Sequence, residues 1–280
     1  MKKYVVPVLL MIMIGLGLFV NYALGDFLFI YFRGFGGVTP TKIQSILNFI
    51  QYIFILCIYL VVIFLLWQEK TALEQYNLDQ LSIILLGIMG VIGSAIAAPG
   101  KIFFKTAIIL LSLLLFAFFL KRAHQIPKTK GRWILLGLAA CLVVIPLSFI
   151  ASLDLHNYSP VSYSIHTLIS AISNIGFYTL AYVSPIEEFL FRSILWGYLR
   201  QRSWSEKKIF WSQAVLFLAL HINHLVTPLS FFIVLPVVIL IMSYYVYRSK
   251  QIFPAIILHT VLDTLLPILA SYIYFIRLAH

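Results

Sequence analysis

Glu187, Glu188 and Asp263 are acids in the wrong place for an apolar chain. The other six of the nine acids, Asp26, Glu69, Glu74, Asp79, Asp154 and Glu206, fall in polar connections, whereas these three lie in or beside long apolar stretches. His166, His221, His224 and His259 lie in such stretches too, and Arg192 follows the two glutamates. An ionisable group at membrane depth costs several kcal/mol unless it is paired or hydrated, so each of these residues marks a functional-site hypothesis. Spacing sorts them. Glu188 and Arg192 are four apart, and on a helix they neutralise each other, which leaves Glu187 as the freer carboxylate. His259 and Asp263 are also four apart and share a helix face, as an imidazole and its orienting partner would. A free carboxylate and an oriented imidazole are the groups of acid–base chemistry. Two imidazoles and a carboxylate, His221, His259 and Asp263, are equally a ligand set for zinc, although the H-E-x-x-H arrangement of base and ligands on one helix is absent.

Plainer readings stand beside these. Ser184-Pro185-Ile186-Glu187 has the form of a capping box with proline at the first helical position, which explains Glu187 without catalysis but leaves Glu188, Arg192 and the histidines unexplained. His224 forms an H-x-x-H pair with His221, yet it lies near Thr227 and Pro228 and reads as a solvated interfacial histidine. His166 reads as an interhelical hydrogen-bonding residue and His280 as a free terminus. Tyr244, Tyr245, Tyr247 and Tyr272 fit an interfacial aromatic belt.

The elements that carry these residues follow from composition. The chain has 280 residues, 62% hydrophobic and 10% charged, with a mean hydropathy of +1.02. Too little polar surface remains to cover a water-soluble core. Apolar runs near 4–24, 44–67, 81–98, 103–120, 133–153, 161–184, 209–226, 229–247 and 252–276 predict an all-α, polytopic transmembrane helical bundle of eight or nine spans. The formal charge of +11 sits mostly between these runs, densest at Lys121, Arg122, Lys128, Lys130 and Arg132, which points to anionic lipid rather than nucleic acid. The same bias places the amino terminus in the cytoplasm of a multi-pass cell-membrane protein. Lys2 and Lys3 followed by an apolar stretch, with Ala23-Leu24-Gly25 beyond it, also fit a signal peptide; the length of the stretch favours an uncleaved first span. Cys57 and Cys141 fall in apolar runs and make no disulfide framework or metal spacing.

Depth ties the two levels together. If Arg200, Lys208 and Lys250 mark one membrane face, then Glu187, His221 and Asp263 each lie thirteen residues inward, about 20 Å along a helix, with His259 at about 14 Å. A helix over 161–199 would run roughly 58 Å, too long for a hydrocarbon core of about 30 Å, so a break or kink is expected at Pro185.

At these residues the chain resembles the CAAX protease and bacteriocin-processing family, CPBP or Abi, of intramembrane proteases. The motif EExxxR is Glu187 to Arg192, FxxxH is Phe217 to His221, and HxxxN or HxxxD is His259 to Asp263. The resemblance divides the chain into a variable set of N-terminal spans, 1–155, and a catalytic helical core, 160–277. It implies a glutamate-dependent endopeptidase acting on a peptide or membrane-protein substrate without a cofactor. Glu187 would deprotonate a water held by His221, and desolvation strengthens a carboxylate as a base. His259 would stabilise the oxyanion, Asp263 would orient it, and Glu188 with Arg192 would position the base. Ser193 stands where many members have Gly, and Asp263 where the prenyl-protein branch has Asn; ionised Asp cannot donate a hydrogen bond as Asn can. A zinc-dependent protease, a transporter and a non-catalytic bacteriocin-immunity scaffold are the alternatives. A transporter would show a counterpart of the Glu-Glu-Arg segment in the first half, and none is there.

Overall fold

The structure is a computed structural model that describes residues 79–97, 130–157, 164–249 and 251–279, with scattered positions between Ile12 and Phe118. The expected first span, its cleavage site and most of the 103–132 region lie outside the described residues. Every element formed by the described residues is helical: α1 (Gln80–Ala97), α2 (Lys130–Leu153), α3 (Ile165–Tyr178), α4 (Ser184–Glu188), α5 (Trp196–Gln201), α6 (Glu206–Leu220), α7 (Leu235–Ser249) and α8 (Phe253–Ala279), with short 3-10 and π segments between them. Among the described residues, two stretches are long and apolar enough to cross a membrane, Ser230–Ser249 and Phe253–Leu278, and two shorter apolar helices, Gln80–Met89 and Leu142–Leu153, accompany them. The count of eight or nine spans is larger than these residues establish.

The expected break at Pro185 is not there. Tyr178, Val183, Ser184, Glu188, Phe189, Leu195 and Trp196 all have right-handed helical dihedrals, so α3, α4 and α5 form one rod joined by π-helical segments at Thr179–Val183 and Phe189–Leu195. Proline removes one backbone donor and crowds the carbonyl four residues earlier, which usually kinks a helix. Here the ladder widens just before it, and the Ser184 N–H bonds to the Thr179 carbonyl five residues back. The capping box is likewise unused, since Val183 caps nothing through its side chain and Ser184 is already helical. Glu187 and Glu188 thus sit between two π segments, a helix form that recurs at functional sites.

The expected 209–226 span also ends early. Helix α6 stops at Leu220, and His221, with φ −95° and ψ 20°, turns the chain into a short 3-10 helix at Ile222–Val226.

Of two cores, the first holds the rod. Phe189, Phe191, Ile194, Trp196, Phe217, Phe253 and Ile256 pack in the first, and Val144, Leu147, Val238, Met242, Leu258 and Leu262 join α2, α7 and α8 in the second. Polar links pin the register. Gln213 donates to Ser243 Oγ at 2.6 Å between α6 and α7. Asp154, in the connection where it was expected, is buried and accepts from the Leu229 and Ser230 amides at 3.2 and 2.7 Å, capping the helical stretch that leads into α7. At Gly176 a Cβ would lie 3.4 Å from the Thr264 side chain, so α3 and α8 approach closely there. Outside, Leu142, Ile145 and Phe149 stand exposed along α2, an apolar stripe suited to lipid.

Candidate active site

Rod, α6 and α8 converge at Glu187. On the rod, Arg192 Nη1 donates to Glu188 Oε1 at 2.7 Å, and both side chains are 0% exposed. One turn of α8 closes the pair from the far side: His259 Nδ1 lies 2.8 Å from the same Glu188 oxygen. A carboxylate paired with arginine only accepts, so the Nδ1–H of His259 is the donor. The Ser184 and Thr260 hydroxyls meet at 3.2 Å and fasten the rod to α8 a second time.

The end of α6 sets the second imidazole. The His221 amide bonds to the Leu218 carbonyl at 3.0 Å as the helix stops. The Phe217 carbonyl, one of the acceptors that a helix terminus leaves over, is met by the His221 ring, with Nδ1 at 2.8 Å. A carbonyl cannot donate, so the proton is on Nδ1 and Nε2 is left outward-facing. That Nε2 stands 3.8 Å from Glu187 Oε2, and His259 Nε2 stands 3.7 Å from the same oxygen. Both rings are therefore gripped through Nδ1 and aim Nε2 at one carboxylate oxygen. Glu187 Oε2 is buried and has no hydrogen-bond partner among the described residues. Asp263 Oδ2 lies 3.2 Å from His259 Nε2, with its side chain 39% exposed, the most open of the group.

Thus Glu187, His221, His259 and Asp263 are brought together, with Glu188 and Arg192 beneath them. His224 is exposed, its ring 6.0 Å from that of His221, and no group of three His, Cys, Asp or Glu among the described residues stands in a geometry that could hold a metal ion. The side chain of His166 is outside the described set. Two contacts were not visible in the spacing. Glu188 holds His259 from 71 residues away. Phe217, otherwise one letter of a motif, is the wedge of the site: the Arg192 guanidinium lies 4.6 Å over its ring, Phe191 meets it edge-on at 4.9 Å, and the His221 ring is 4.7 Å away. The four-residue step from Phe217 to His221 was the only available signal that they share a face.

Phe217→Leu keeps most of the volume and removes the π face. We expect it to lower unfolding stability by about 1–2 kcal/mol, the worth of a desolvated cation–π contact, in thermal unfolding of the detergent-solubilised protein. Unchanged stability would mean that Arg192 does not depend on this ring.

Neither a curated protein nor a solved structure matches the chain. Residues 167–265 match the family model described as Rce1-like, type II CAAX prenyl endopeptidase Rce1-like, and this segment contains Glu187, Glu188, Arg192, Phe217, His221, His259 and Asp263. The segment that folds around Glu187 is therefore similar to the Rce1-like domain, a match consistent with the CPBP resemblance of its three motifs.

Proposed function

We propose that this protein is an intramembrane endopeptidase that hydrolyses peptide bonds of membrane-associated, lipidated or leader peptides with a water activated by Glu187. The observation that carries the reading is the convergence of two Nε2 atoms on Glu187 Oε2 at 3.7 and 3.8 Å, within reach of a common water. With the Nδ1–H of His221 engaged by the Phe217 carbonyl, this reading uses the lone pair at Nε2, so that a water there donates one hydrogen to His221 and one to Glu187. Its oxygen lone pair is then free for the carbonyl carbon of the scissile bond. As the C–O bond forms, Glu187 takes the proton; as the C–N bond breaks, it returns the proton to the leaving amine.

His259 is the oxyanion donor. With carboxylate oxygens of Glu188 and Asp263 at its two ring nitrogens, it donates from both and carries a positive charge beside the developing negative one. Asp263 keeps the Nε2–H aimed at the open side of the site. In this reading 160–277 is the catalytic core, 1–155 supplies further membrane helices, and the protein is a multi-pass cell-membrane protein with a cytoplasmic amino terminus. No cofactor is required.

A zinc enzyme with His221, His259 and Asp263 as ligands is the second reading: both rings turn Nε2 to the same point, although the three side chains do not stand in a metal-holding geometry. Cleavage of membrane-anchored reporters by the purified protein separates the two. On the first reading activity survives EDTA and falls by about 10²-fold or more in His221→Phe, which removes the acceptor for the water. Activity lost to EDTA and restored by zinc would transfer the site to the metal reading.

A further inference from the structure

The turn between α5 and α6, at the opposite end of α6 from His221, carries a built surface that the reaction does not use. Arg200 grips Glu206 through Nε at 2.6 Å and Nη2 at 3.0 Å, and the Trp196 indole donates to Glu206 at 3.1 Å. The one acid of this turn is thereby engaged. Ser203 takes a left-handed conformation, φ 61°, and Ser205 caps α6 by accepting from the Lys208 amide at 3.4 Å. Beyond the clamp opens a cavity of about 490 Å³ lined by Trp204, Ser205, Lys207, Lys208, Trp211 and Ser212. Lys207 and Lys208 are exposed, and among the described residues neither has an acidic partner. Trp204 and Trp211 are 43% and 50% exposed.

We propose that this cavity binds the phosphate of an anionic phospholipid headgroup from the surrounding bilayer. Charge selects the ligand: two lysines line the cavity and the nearby carboxylate is already paired with Arg200, so an anion is favoured over a zwitterion. The two indoles select the source. Tryptophan is the side chain of the headgroup level, with an apolar body toward the acyl chains and an N–H toward water, and this pair flanks the lysines at the end of an apolar helix bundle. The volume falls in the range of ordinary ligand sites. Because α6 runs from this cavity to the turn that holds His221, a bound lipid anchors the outer end of the helix that delivers one of the site's imidazoles.

The test is native mass spectrometry of the full chain in detergent with phosphatidylglycerol or phosphatidylcholine of identical acyl chains. Wild type should retain the anionic lipid roughly tenfold better than the zwitterionic one. The double variant Lys207→Gln, Lys208→Gln should bind both at the zwitterionic level, whereas Lys207→Arg, Lys208→Arg should keep the preference. Millimolar inorganic phosphate should leave the lipid adduct intact. Equal retention of the two lipids by wild type, a preference that survives the Gln pair, or displacement by free phosphate would each overturn the proposal. Helical content by circular dichroism shows that the Gln pair is folded.

Discussion

Glu187→Gln should abolish reporter cleavage, by about 10³-fold or more, while leaving the protein at least as stable as wild type. The first half rests on the general base: the amide keeps the size and shape of the carboxylate but cannot take a proton from water, and a positioned base contributes about 10²–10⁴-fold. The second half comes from burial. Glu187 Oε2 accepts no hydrogen bond and sits between two imidazoles beyond bonding distance, so the native carboxylate is held in an arrangement that stability alone would not select. Removing its charge relieves that strain, as commonly happens when a functional group is neutralised. The outcome discriminates sharply between roles. A helix-capping glutamate would show the reverse pattern, with stability lowered by roughly 1 kcal/mol and cleavage intact. Unimpaired cleavage by a folded Glu187→Gln protein sinks the proposed base. Activity from the purified protein and thermal unfolding from the same preparation decide the question together.

The sequence made the participants legible and left their partners hidden. Glu187, His221 and Asp263 could be put at one depth because each is thirteen residues from a basic boundary, and the chain does bring all three to one point. Such distance arithmetic rests on the fixed rise of helices. What it cannot see is which nitrogen meets which oxygen. The pair His259–Asp263 was readable as neighbours on one face, but the Nδ1 of His259 belongs to Glu188 on another element, and Asp263 stands at Nε2, the nitrogen that faces Glu187. Local rules failed at Pro185 for a related reason. Proline, serine and glutamate at those spacings ordinarily start a helix, yet packing of the rod against α8 keeps it continuous, and one i to i−5 step absorbs the missing donor. Asp154 lies in a connection, as its polar surroundings imply, but its burial and its contact with Leu229 and Ser230 are encoded by no local pattern.

The buried pair beneath the site gives the second large effect, because it separates holding the fold from aiming an imidazole. Arg192 and Glu188 are both fully buried, and removing one partner of such a pair typically costs about 3–5 kcal/mol, since the other is left as an uncompensated charge. Arg192→Met should therefore unfold at much lower temperature than wild type, with His259 the one remaining partner of Glu188 among the described residues. The double variant Glu188→Leu, Arg192→Met behaves differently. Replacing a whole buried ion pair by apolar groups of similar volume is often neutral or stabilising, so most of the lost stability should return. Activity should not return with it. Without the Glu188 oxygen at 2.8 Å the Nδ1–H of His259 loses its acceptor, Asp263 alone holds the ring through Nε2, and the aim of the oxyanion donor loosens, a defect of about 10²–10³-fold. Glu188→Gln in the presence of Arg192 provides the control, because its amide oxygen still accepts from Nδ1 and part of the activity should survive. A double apolar variant that is stable and also cleaves at the wild-type rate would remove Glu188 from the positioning of His259. An Arg192→Met protein as stable as wild type would show instead that this arginine does not carry the charge balance of the bundle.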